Sequence, residues 1–377
     1  MSEWYPETSP IRLPFADETR STLGDDADDA RITVIGAGNW GTTFAKVIAD
    51  GGRRVTLGVR RPEHADEINE SHRNTAYLPG INLPEQIRAT SSLVDAVTGA
   101  DLVFLSVPAQ SARENIEEFK PWLGPDASII SLMKGVERST GKRMSEVISE
   151  VAGIPLERVA VASGPNIALE IAREQPTAIV VASASEDLAV RVARIARNDY
   201  LRTFVNPDVI GTEFGGVLKN LIAIAIGIAD GVGFGENTKA AIMTRGLAEI
   251  TDFAVAMGAA RETMMGLAGL GDLIATCMSP LSRNFTAGRL LGQGYSYHDV
   301  THRMEQTAEG LRSVESILVI AGERRVPMPI VAQIAAVLEG RMHPAELAPH
   351  LATDHIPTET ETETGPEAGA DAPGATA

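Results

Sequence analysis

No stretch constrains the fold more than Arg31–Phe44, RITVIGAGNWGTTF. Ile32, Val34 and Ile35 form a short apolar, β-branched run. Gly36, Gly38 and Gly41 follow at G-x-G-x-x-G spacing, and Thr42–Asp50 carries Phe44, Val47 and Ile48 at helical spacing. Strand, glycine turn and helix together are the context a dinucleotide fingerprint requires. Gly36 permits the tight turn, Gly38 lets backbone approach a pyrophosphate, and Gly41 lets helix pack on strand. The helix N-terminus then offers unpaired N–H groups to the anion.

Downstream, the same alternation continues. Strands are predicted at Arg54–Val59, Asp101–Val107 and Ser128–Met133, with helices at Glu63–Glu70, Ser92–Val97 and Ser111–Phe119. Asn74–Pro84 is rich in turn residues and reads as a loop. Three further strands are predicted at Arg158–Ser163, Thr177–Ala182 and Leu201–Val205. Alternation of this kind implies an α/β fold with a parallel, doubly wound sheet, whose ligands lie at the strands' carboxyl ends. Pro108, Gln110, Lys134 and Gly135 fall there. After Pro207 the pattern changes to helices, at Val209–Asp230, Thr238–Met257 and Leu311–Ala321. The expected organisation is therefore an acidic tail at 1–30, a Rossmann-like dinucleotide-binding domain at 31–206, an all-helical domain at 207–351 and a second acidic tail at 352–377.

Charge supports that division. The formal net charge is −17, but residues 1–30 hold eight acids against two arginines, and residues 351–377 hold six acids with no Lys or Arg. Both tails read as disordered, the second around TETETETG at Thr358–Gly365. A docking role for Trp4 and Tyr5 is the alternative for the first. No basic field for nucleic acid is present, so an anionic small ligand needs a local basic pocket. The apolar stretch Leu221–Ala229 is too short and glycine-interrupted for a membrane span. No signal peptide is evident, and the single cysteine, Cys277, fits a reducing cytoplasm and a structural role. The seven histidines form no convincing metal-ligand set; His298 and His302 read as part of a surface helix.

Candidate chemistry lies in three places. Arg60 and Arg61 stand at the end of the second strand, where an NAD-selective site has an acid; they suit a 2′-phosphate, so NADP(H) should bind at least as well as NAD(H). Alternatively they only solvate the strand end. Glu63, beyond Pro62, is a weak substitute for that acid. Lys219 sits in GVLKNLIAIAIG among apolar neighbours. A buried ammonium must gain a partner or lower its pKa, as a proton-transfer lysine does; the other reading is a lysine snorkelling from a helix edge. In GLGDLIATCMSPLSRN, Asp272 can pair with Lys219 or cap a helix, and Arg283 can fork onto a phosphate beside Ser282 and Asn284.

Taken together, these motifs give the chain its resemblance to the bacterial NAD(P)-dependent sn-glycerol-3-phosphate dehydrogenases. The match runs through GAGNWGT (Gly36–Thr42), YLPG (Tyr77–Gly80), SVPAQ (Ser106–Gln110), KG (Lys134–Gly135), SGPNIA (Ser163–Ala168), LKN (Leu218–Asn220), GLGDL (Gly269–Leu273), TCMSPLSRN (Thr276–Asn284) and AEG (Ala308–Gly310). The resemblance implies hydride transfer from nicotinamide to dihydroxyacetone phosphate, giving sn-glycerol 3-phosphate for phospholipid synthesis. It implies an acid/base role for Lys219, with Lys134 and Asp272 beside it. It further implies substrate contacts at Lys134, Gly164, Asn166, Lys219, Asp272, Ser282, Arg283 and Asn284. Cofactor contacts are implied at Gly36, Gly38, Asn39, Trp40, Gly41, Arg60, Arg61, Lys134, Ala168, Arg283, Thr307 and Glu309, with no metal. A cytoplasmic homodimer joined through the helical domain is the implied assembly. Asn166 stands where Ser or Thr is common, Asn39 where Ser is, and Thr307 replaces a usual Val. The competing readings are a related two-domain hydroxy-acid dehydrogenase and a catalytically silent NADP(H) sensor.

Overall fold

The computed structural model describes residues 29–304 and 308–347. The readings of the two tails, including Trp4 and Tyr5, and the cofactor contact at Thr307 lie outside the described residues, apart from the few residues adjoining each tail. Eight strands form one sheet: β1 (Ile32–Ile35), β2 (Val55–Gly58), β3 (Ile87–Thr90), β4 (Leu102–Leu105), β5 (Ser128–Ser131), β6 (Val159–Ser163), β7 (Thr177–Ser183) and β8 (Leu201–Asn206). Their order is β3-β2-β1-β4-β5-β6-β7-β8. Period-two alternation feeds two cores. Val34, Leu102 and Phe104 face one, whereas Ile35, Val103 and Leu105 face the other. The first core is covered by α1 (Asn39–Asp50), α2 (Pro62–Ser71) and α7 (Glu186–Ala196). The second is covered by α3 (Leu93–Val97), α4 (Ala112–Phe119) and α5 (Met144–Ala152). The sheet is thus doubly wound, as expected.

The sequence expectation named no helix at α5 or α7, and three details of the sheet and its first helix also differ from it. The four-residue edge strand β3 was not predicted; Ile87 and Ala89 point in while Arg88 points out, and the preceding loop hides so short a signal. Strand β7 runs antiparallel to β6, whereas every other pairing is parallel. Here α6 (Ala168–Ala172) stays at the carboxyl end of β6, where Thr43 Oγ1 donates to Ala168 O at 3.2 Å. The chain never crosses to the far end, so β7 returns in the opposite sense. Third, α1 begins at Asn39 instead of Thr42, so Asn39, Trp40 and Gly41 form its first turn.

Beyond Asn206 the described residues are helical. The elements are α8 (Val209–Val232), α9 (Glu236–Ala256), α10 (Arg261–Met264), a π-turn at Leu267–Gly271, α11 (Asp272–Met278), α12 (Arg283–Gly292), α13 (Tyr297–Arg303), α14 (Glu309–Arg324) and α15 (Pro329–Leu338). Helix α8 is their hub. Taken whole, it is long and apolar enough to cross a membrane, which Leu221–Ala229 alone did not suggest; 89% of its most apolar window is buried inside the protein. It is a core helix. It meets α12 backbone to backbone: a Cβ on Gly227 would strike Phe285 O, and one on Gly288 would strike Ile224 O. Gly231 and Gly292 repeat the contact one turn on. His298 and His302 lie exposed on α13, as the surface-helix reading expected.

Candidate active site

Residues from β1 and α1 build the first part of the site. Gly36 adopts φ +103°, and a Cβ there would strike Ser106 O. A Cβ on Gly41 would strike Gly36 O, whereas Gly38 has open space around it. Those are the three distinct needs of turn, packing and approach. Asn74, fully buried in the loop read only as turn-rich, donates to Ala37 O at 3.0 Å and Thr42 Oγ1 at 2.9 Å. It braces the glycine turn, and only its place just before YLPG signals it. The Trp40 ring packs edge-on against Phe44, and its Nε1 is buried without a partner among the described residues. Arg60 and Arg61 are exposed just beyond β2, adjacent to the turn through the Gly36 N–Gly58 O hydrogen bond of 3.0 Å. An open Gly38, a helix N-terminus and two arginines at the neighbouring strand end fit a dinucleotide with a 2′-phosphate.

The second part joins the sheet to the helices. Lys134 leaves the carboxyl end of β5, with its side chain 14% exposed. Its Nζ donates to Gly164 O at 3.2 Å, to Asn166 Oδ1, and to Asp272 Oδ2 at 2.7 Å. Lys219, in the buried middle of α8, donates to Asp272 Oδ1 at 2.7 Å and to Thr276 Oγ1. One carboxylate, 1% exposed, therefore holds two ammonium groups, one from each half. Lys219 does not snorkel. Asp272 is the first residue of α11 and follows directly on the π-turn Leu267–Gly271. Burial, opposed by Asp272 and assisted by Lys219, lowers the Lys134 pKa to about 8. Among the described residues, Asn166 Nδ2 is buried with no partner and Ser163 Oγ likewise, so polar valences remain around this cluster.

Ser282, Arg283 and Asn284 open α12. Ser282 Oγ caps the helix, accepting from Phe285 N at 3.2 Å, and Arg283 is exposed. Asn284 turns inward, donating to Asn220 Oδ1 at 2.8 Å and accepting from Gly310 N at 3.0 Å. Glu309 starts α14. Burial raises its pKa, while Arg283, Lys134 and Lys219 pull it down, so it shares their field. The structure thus brings Lys134, Gly164, Asn166, Lys219 and Asp272 together, with Glu309 and Arg283 within electrostatic reach. Thr276 and Asn220 were missed as individual residues; both sit one helical turn from, or directly beside, a residue that was named. Cys277 is buried, and burial pushes its thiol up to about 12, as a structural cysteine requires. Among the described residues no group of three His, Cys, Asp or Glu side chains is placed to hold a metal.

A doubly wound sheet with a glycine-rich turn, leading through a shared carboxylate into a helical half, defines a two-part nicotinamide-dependent dehydrogenase. Residues 31–189 match the family described as NAD-dependent glycerol-3-phosphate dehydrogenase N-terminus, and residues 208–349 match its C-terminus. The chain belongs to this family and is an NAD(P)-dependent glycerol-3-phosphate dehydrogenase. It is 64% identical over 324 residues to glycerol-3-phosphate dehydrogenase [NAD(P)+] of Leifsonia xyli, covering 86% of this chain and 88% of the relative. The Streptomyces griseus enzyme of the same name is 50% identical over 312 residues, 82% of this chain and 93% of the relative. The glycerol-3-phosphate dehydrogenase structure from Coxiella burnetii superposes with a TM-score of 0.81 at 33% identity, over 85% of this chain and 98% of that one.

Proposed function

We propose that the enzyme reduces dihydroxyacetone phosphate to sn-glycerol 3-phosphate, reversibly, with Lys219 as the proton donor. The observation that carries this reading is the Asp272 carboxylate shared by Lys134 and Lys219. The nicotinamide, when bound, supplies the hydride. Lys219 holds a proton for the oxygen that becomes an alkoxide, and accepts it back in oxidation. Lys134, with Gly164 and Asn166, steadies the carbonyl end and adds positive charge where negative charge develops. Asp272 keeps the two ammonium groups oriented and compensates their repulsion. Ser282, Arg283 and Asn284 form the phosphate end, where a guanidinium suits a bidentate contact. Gly36, Gly38, Asn39, Trp40, Gly41, Arg60, Arg61, Ala168, Thr307 and Glu309 make the cofactor site.

The product would supply glycerophospholipid synthesis in the cytoplasm. Two copies associate through the helical half in this reading, which sedimentation velocity tests directly. The functional test is initial-rate oxidation of NADPH and NADH with dihydroxyacetone phosphate, beside unphosphorylated dihydroxyacetone. Turnover confined to the phosphorylated ketone, with NADPH used at least as well as NADH, is expected. Equal rates with both ketones would overturn the phosphate-site reading.

A further inference from the structure

The two lysines are carried by different halves, so something must fix their separation. Lys134 belongs to the strap between β5 and α5, and Lys219 to α8. A carboxylate without a place in the chemistry above joins these same two elements. Glu213 lies on α8 and is 5% exposed. Its Oε1 accepts from Ser145 N at 2.9 Å, and its Oε2 accepts from Ser145 Oγ at 2.6 Å and Arg143 Nη1 at 2.6 Å. Glu213 therefore caps α5 from across the molecule. Glu146, the other charged group at this corner, holds Arg143 through its backbone N at 2.8 Å and its Nη2 at 3.1 Å.

The contact leads back to Lys134. Arg143 pairs with Val136 in an isolated antiparallel bridge, two residues beyond Lys134. Between them Glu137 N donates to Lys142 O at 2.9 Å and Gly141 N donates to Glu137 O at 2.8 Å, closing the strap on itself. Gln110, in the short turn between β4 and α4, donates to Val136 O at 2.8 Å and accepts from Arg138 N at 3.1 Å. Val136 itself packs in the core around α8. The strap is a closed, braced unit with Lys134 at one end and the Glu213 contact at the other.

We propose that Glu213 is a positioning residue, which sets the placement of Lys134 against Lys219 by anchoring Arg143 and Ser145 to α8. This rests on the acid/base reading of the two lysines. Loss of the anchor lets the strap shift and water reach Lys134, so its ionisation returns toward that of an ordinary lysine.

The test compares Glu213→Gln and Ser145→Ala with Glu249→Ala, which removes another buried carboxylate lying wholly among the helices. Two measurements are made on each full-length protein. One is kcat and KM across pH. The other is residue-resolved acylation of Lys134, read by mass spectrometry from about pH 6 to about pH 10, which needs no turnover. Glu213→Gln is expected to lower kcat roughly tenfold while the nucleotide KM stays within about twofold, as misplacement of a reacting group does. It should also raise the Lys134 acylation midpoint by about half a pH unit or more. Ser145→Ala should do the same more weakly, and carries the test if Glu213→Gln does not fold. Glu249→Ala should lower Tm and leave the midpoint in place. A Glu213→Gln protein with reduced Tm and an unmoved Lys134 midpoint, or a midpoint moved equally by Glu249→Ala, would overturn the proposal. Absence of wild-type turnover would instead defeat the functional reading, and the acylation midpoint would still decide this one.

Discussion

At the residue scale, the unit to understand is Asp272 with its two cations. Neither lysine is tolerable alone in so buried a place, and the carboxylate between them makes both affordable only as a set. Replacing Lys219 by Met keeps the volume and removes the proton. Such a variant should lose about 10²–10⁴ in kcat while nucleotide binding, followed by fluorescence titration, is retained. Full activity in that variant would remove Lys219 from the mechanism. With the Lys134 pKa at about 8, positive charge at that position is lost as pH rises through that value. The wild-type rate of reduction should therefore fall on the alkaline side of about pH 8, visible in a pH–rate profile at saturating nucleotide. The sequence made this site legible because charged residues are rare in its apolar surroundings: Lys219 stands out within GVLKNLIAIAIG. Thr276 did not stand out, since a hydroxyl in a helix has many ordinary uses and only the fold shows it meeting Lys219.

Among the elements, α15 shows how a helix end is completed by a distant side chain. Pro329 opens the helix and has no N–H, but Ile330 and Val331 present theirs to Glu249 of α9, at 2.9 and 3.0 Å. Removing the acceptor in Glu249→Ala should cost about 1–3 kcal/mol, measured by urea unfolding. Burial raises the Glu249 pKa from 4.5 to about 7. A carboxyl raised on folding binds its proton more tightly in the native state, so its stabilising share is full below about pH 4.5 and is lost as pH rises through about 7. The wild-type-minus-variant difference should accordingly shrink between about pH 4.5 and about pH 7; a constant difference would show that folding does not raise the Glu249 pKa. Legibility at this scale follows the strength of the apolar signal. The α8 helix reads from its long apolar run, whereas β3 buries only Ile87 and Ala89 and α1's first turn hides behind the glycines. The seam of Gly227, Gly231, Gly288 and Gly292 is invisible until α8 and α12 are laid together, because it exists only as a pair of faces.

For the whole molecule, the doubly wound sheet was legible from strand–helix alternation, but the reversal at β7 was not. Alternation counts elements and says nothing of which end of the sheet a short helix stays on. The molecule also carries a consequence for its own synthesis. Helix α8 leaves the ribosome with residues 211–229 all destined for burial, yet its closest packing partner is not complete until Gly292 has been made. At ordinary elongation rates that interval lasts on the order of seconds. During it, a segment apolar enough for a membrane has the finished sheet and the first helices after it to lean on, but not the backbone-tight seam of α12. A chain ended after Ala256 should pellet on lysis while the full chain stays in the supernatant. If that truncated chain does pellet, the nascent enzyme at this one stage of translation depends on whatever in the cell shelters hydrophobic helices.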